Sequence, residues 1–133
     1  MRSRAVWLAG LVSAVILLLG VRALLDPRAA SASFGLPMQT GPEMAFVRIY
    51  GARNALLGAV ALVFAMRGMV QPLALLFTFA TVLPLLDAAV IVSQIGVGHE
   101  LVRHGIILLV LVALSVSLWR LRDVRSGPAA ATG

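Results

Sequence analysis

Four long apolar stretches, separated by short runs of turn-forming and charged residues, set the pattern of this chain. Residues 5–21 carry no charge. Because Arg22 is near enough to the end to extend toward an interface, residues 6–25 supply the roughly 20 positions a transmembrane helix needs. A second stretch at 44–66 follows Glu43, whose carboxylate suits the positive end of a helix dipole, and stops at Arg67 and Gly68. A third, 72–94, starts at Pro72, a favoured first-turn residue. Within it Pro84 removes a backbone hydrogen bond and crowds the carbonyl of Ala80, which predicts a kink about one turn before Asp87. The fourth covers 103–121. The pattern predicts an all-α, four-helix transmembrane bundle in a single domain, 1–125.

Residues 26–43, DPRAASASFGLPMQTGPE, hold three prolines and two glycines and read as a connector rather than a span. Within it Phe34, Leu36 and Met38 suit the headgroup region. Gly96, Gly98, His99 and Glu100 make a further turn, and 126–133 form a polar tail expected to be disordered. Arg2 and Arg4 ahead of an apolar run also resemble a signal peptide, with Val21-Arg22-Ala23 or Ala30-Ser31-Ala32 as cleavage sites. The uncharged stretch exceeds the usual 7–15 residues of such a segment, so the first helix is expected to remain. Cleavage would leave three helices.

At 61% hydrophobic and 12% charged residues, with mean hydropathy +1.03, the chain is too apolar for a soluble domain. Without cysteine it can form neither disulfides nor thiol-ligated metal sites. All eleven basic residues are Arg, but they are spread over spans and helix ends rather than gathered on a solvated face, which argues against nucleic acid. Their distribution also orients the bundle. With the N-terminus inside, Arg2, Arg4, Arg67, Arg120, Arg122 and Arg125 are cytoplasmic against Arg28 and Arg103 outside, and Trp7 and Trp119 share the inner interface. Both termini are therefore expected inside, in a bacterial inner membrane.

Ionisable residues within a span are costly and mark sites by default. At 1.5 Å per residue, Arg53 and Asp87 both lie about 10 to 14 Å below the outer surface, with Arg22 and Arg48 shallower and His104 opening the fourth helix. Arg48, Arg53 and Asn54 do not fall on one stripe, since successive steps of five and one residues turn the helix by about 140° and 100°. The second helix is therefore expected to be central, with Gly51, Ala55 and Ala59 admitting a close neighbour. Taken singly, each polar residue has a plain explanation: an Arg53–Asp87 ion pair, arginines reaching phosphates, a histidine near a helix start. Taken together, Arg22, Arg48, Arg53, Asn54, Asp87 and His104 outline an outward-facing polar cavity of net positive charge, suited to an anionic lipid or amphiphile.

The order Asp26-Pro27, Phe34-Gly35-Leu36-Pro37, Arg48-Ile49-Tyr50-Gly51-Ala52-Arg53-Asn54 with Gly58, Pro84-Leu85-Leu86-Asp87 and then His104 resembles a family of small four-helix bacterial membrane proteins catalogued as a domain of unknown function. The resemblance spans about residues 15–120. It implies the four-helix fold and no particular activity. Relatives often carry Asp at the position of Asn54, so the resemblance does not extend an acid or proton-relay role to this residue. A looser architectural similarity links the chain to DoxX-like membrane proteins. The expected function is non-enzymatic: binding of an amphiphile or partner helix, as a homo-oligomer or accessory subunit, without cofactor or metal. The alternatives are a membrane enzyme acting on a quinone-like substrate through Asp87 or His104, and a small proton-linked transporter.

Overall fold

A computed structural model of the chain describes residues 3–126. It contains helices α1 (Arg4–Leu25), α2 (Pro27–Phe34), α3 (Gly41–Arg67), α4 (Val70–Ala80), α5 (Val82–Ile95) and α6 (Glu100–Ser126), with no strand among the described residues. Four stretches are long and apolar enough to cross a membrane: α1, α3, α4 with α5, and α6. The chain is thus an all-α, multi-pass transmembrane protein. Ser126 closes α6, and the rest of the expected disordered tail, like Arg2, lies outside the described residues.

Local chemistry moves several boundaries from those expected. The connector contains a helix, α2, because Asp26 caps its start by accepting from the Ala29 N–H at 3.0 Å, and Pro27 occupies the first turn. Gly35, at φ 96°, supplies the left-handed residue that ends it. Helix α3 begins at Gly41 rather than Met44. Thr40 and Glu43 form a reciprocal capping box, the threonine oxygen accepting from the Glu43 N–H while the carboxylate accepts from the Thr40 N–H at 3.0 Å. The third span is broken at Thr81, beside the Ala80 carbonyl that Pro84 crowds. Thr81 turns its hydroxyl back onto the Thr78 carbonyl at 2.6 Å.

The bundle consists of two antiparallel pairs. In one, α1 meets α3 at backbone distance: a Cβ on Gly58 would stand 2.5 Å from the Leu17 nitrogen, and one on Gly51 would stand 2.7 Å from the Gly20 carbonyl oxygen. Gly20, Gly51, Ala55 and Gly58 thus make the close approach, with Gly58 taking a role that spacing alone suggested for Ala59. In the other pair, α4 packs on α6, where the Thr78 and Ser115 hydroxyls lie 2.6 Å apart and the Trp119 Nε1–H donates to Thr78 at 2.9 Å. The packed core, including Ala9, Ala65, Leu73, Ala74, Leu114 and Leu118, occupies the half of the bundle nearer the chain termini. The opposite half, beneath α2 and the α5–α6 turn, is hollow.

Candidate functional site

The hollow half holds a cavity of about 180 Å³ between the two helix pairs. Arg22 and Ala23 from α1, Ser33 and Phe34 from α2, and Tyr50 and Asn54 from α3 line one side. Pro84 and Asp87 from α5 and Arg103 and His104 from α6 line the other. The break at Thr81 matters here, since Ala80, Leu83, Pro84 and Asp87 all reach the cavity wall from either side of it.

Phe34 is the centre of the polar end. Its ring meets Tyr50 edge-on at 5.7 Å and 67°, and His104 at 5.2 Å and 87°. Tyr50 and Asn54, one turn apart on α3, line the same cavity as Asp87 and Arg103. His104 is buried. Its Nδ1 lies 3.0 Å from the Glu100 carbonyl oxygen of its own helix, so Nδ1 is the donor there and Nε2 is left for the cavity. Asp87 is half-buried and lines the same cavity as His104. The Arg103 guanidinium donates to the Ser33 carbonyl, tying α2 to α6.

Deeper in, the cavity loses its polar character. A second cavity of about 250 Å³ shares Ile16, Asn54, Ala80, Leu83 and Leu111 with the first and continues to Leu57, Ala61, Leu76 and Phe77. From Tyr50 to Ala61 the α3 wall rises about 16 Å. Asn54 marks the boundary: it is the last polar side chain before an apolar chamber.

Of the residues expected at the site, Arg22, Asn54, Asp87 and His104 come together around this space. Arg48 and Arg53 do not. All four arginines, Arg22, Arg48, Arg53 and Arg103, are exposed, but Arg48 and Arg53 line neither cavity, and the ion pairs among the described residues are His99–Glu100 and Arg122–Asp123, not Arg53–Asp87. Matching depth is not enough to make a pair. Asn54 takes the inward position on α3, which turns Arg53 about 100° aside, and α3 packs on α1 and α4 rather than on α5. Reasoning from the spans missed Arg103, Tyr50, Ser33 and Phe34. Arg103 looked like an interfacial charge, yet it stands beside His104 near the opening of a helix and, though exposed, lines the cavity. Among the described residues no three His, Asp or Glu side chains converge as metal ligands would.

A family model described as a domain of unknown function (DUF4267) matches residues 13–118, taking in every cavity-lining residue named above. The match does not extend to DoxX-like proteins. No curated protein and no solved structure matches the chain.

Proposed function

The chain belongs to the DUF4267 family, and from that premise we propose that it is a small membrane-embedded binding protein whose hollow half holds an amphiphile by an anionic head. The observation that carries this reading is that a polar mouth adjoins an apolar chamber, the two cavities sharing Ile16, Asn54, Ala80, Leu83 and Leu111 in their walls. With Asp87 ionised, Arg22 and Arg103 leave the mouth one positive charge in excess. An uncompensated charge in a low-dielectric setting is costly. A carboxylate or phosphate head neutralises it and matches the donor fork of arginine, while its tail fills the chamber beyond Asn54. The two cavities together fall within the range of about 300–1,000 Å³ common for small-molecule sites.

This reading places the protein in a bacterial inner membrane with both termini cytoplasmic, supported by the arginine bias, so that the cavity sits in the outer half of the bilayer. Arg48 and Arg53, exposed on α3, are then free to meet lipid phosphates or a second copy of the chain. Native mass spectrometry of the purified protein tests the binding claim. One anionic amphiphile should be retained per chain and should be lost from Arg103→Gln. Retention of a neutral lipid alone, or of nothing, contradicts it.

One observation favours a second reading, an enzyme acting on a quinone-like substrate. His104 is oriented through Nδ1, and its Nε2 shares the cavity with Asp87, which is the arrangement a proton donor and acceptor require. A retained quinone in the same experiment would select it.

A further inference from the structure

The hollow half is closed at its end and open at its side. At the end, α2 lies across the mouth like a plate. Arg103 holds the Ser33 carbonyl, Phe34 is wedged between Tyr50 and His104, and a Cβ built on Gly35 would stand 3.3 Å from the Glu100 Cβ, so side chains join the end of α2 to the start of α6 although these two backbones, like those of α3 and α5, make little contact. Its other flank is held by the Ser31 hydroxyl, which accepts from the Met38 N–H at 3.2 Å.

At the side, α3 and α5 scarcely touch. Between them lies a third cavity of about 280 Å³, bordered by Phe46 and Val47 of α3, Val90 of α5, and Leu36 and Met38 of the connector. Phe46 and Val90 are exposed on helices that are long and apolar enough to cross a membrane. This cavity shares Ala30, Phe34, Tyr50 and Asp87 with the polar mouth, so those side chains form the partition between the membrane-facing gap and the binding space.

We propose that the gap between α3 and α5 is a lateral portal through which the ligand enters from the bilayer, with Phe34, Tyr50 and Asp87 as its inner threshold. The inference rests on the binding reading and narrows it to amphiphiles dissolved in the membrane. A polar head passing from the headgroup region moves past Asp87 and Tyr50 toward Arg22 and Arg103. Its tail stays throughout among apolar side chains, whereas a route past α2 would require breaking the Arg103–Ser33 contact and parting Phe34 from His104.

The absence of cysteine makes the two routes separable. A Gly35→Cys, Glu100→Cys pair brings two Cβ atoms close to disulfide distance and, when oxidised, fastens the end of α2 to α6; because a side chain is strained at Gly35, where φ is 96°, the reduced pair is the reference for the oxidised one. Val90→Trp, at an exposed position, fills the portal without entering the packed core. The protein is reconstituted into phosphatidylcholine vesicles with bound dodecanoate, and exchange against deuterated dodecanoate is followed by native mass spectrometry. Val90→Trp should slow exchange at least tenfold with equilibrium occupancy unchanged, and the oxidised double-cysteine protein should exchange at the rate of its reduced form. Exchange that is untouched by Val90→Trp but stops on oxidation and resumes on reduction overturns the portal. If the parent chain retains no dodecanoate, the binding reading fails and the portal fails with it.

Discussion

Replacing Gly58 by alanine puts a methyl group where the backbone of α1 already stands. The added Cβ would lie 2.5 Å from the Leu17 nitrogen, 2.8 Å from its Cα and 2.9 Å from the Ser13 carbonyl oxygen. None of these atoms is at the end of a flexible side chain, so relief has to come from the helices moving apart. Reaching ordinary contact at 3.4 Å needs about 0.9 Å of separation, and a gap of about 0.5–1 Å already forfeits a quarter to a half of the dispersion well for each affected contact. Overpacking of this kind costs about 1–3 kcal/mol. Gly10→Ala is the matched control on the opposing helix. Its methyl would meet only the Ala65 Cβ, at 3.5 Å, and it shares the gain of about 1 kcal/mol that alanine brings to a helix. Gly58→Ala should therefore be less stable than Gly10→Ala by about 1–3 kcal/mol. Unfolding by SDS in mixed micelles, followed through Trp7 and Trp119, measures the difference. Equal stability of the two variants would refute backbone contact between α1 and α3 at this point.

Thr78→Val removes the shared partner of Ser115 and Trp119 and should cost about 0.6–1.7 kcal/mol in the same unfolding experiment, the range measured for interhelical hydrogen bonds in membranes; no loss would mean that α4 and α6 meet elsewhere. Arg53→Gln and Asp87→Asn should act additively, because the two residues do not pair, and recovery in the double variant would contradict their separation. A reporter enzyme active only outside the cytoplasm should work when fused after Gly98 and fail after Arg125, and the reverse result would invert the bundle.

The spans were legible because membrane helices must satisfy every backbone group internally, which demands long apolar runs. The break near Pro84 followed from one missing N–H. The short helix α2 was less visible although its signals were all present: Asp26, Pro27 and Gly35 act as start, first turn and stop, while the same Pro and Gly taken as breakers suggest an open connector. Depth could be counted along each helix, and it put Arg53 and Asp87 at one level with His104 at the opening of the fourth helix. Azimuth could not, because it depends on which helices touch. Arg53 is turned aside and Asn54 inward for that reason, and Arg103, assigned to an interface by position, also lines the cavity.

The central claim is that the mouth of the cavity recognises negative charge, and the sharpest test compares two ligands with the same tail. Dissociation constants for dodecanoate and dodecanol should be measured on the parent chain and on the Arg22→Gln, Arg103→Gln double variant. A hydrogen bond to a charged group is worth about 1.5–3 kcal/mol, and about 1.4 kcal/mol is tenfold in affinity. The parent chain should therefore prefer dodecanoate by at least about tenfold, and the double variant should bind the two alike. Equal affinity in the parent, or a preference that survives loss of both arginines, would contradict the account.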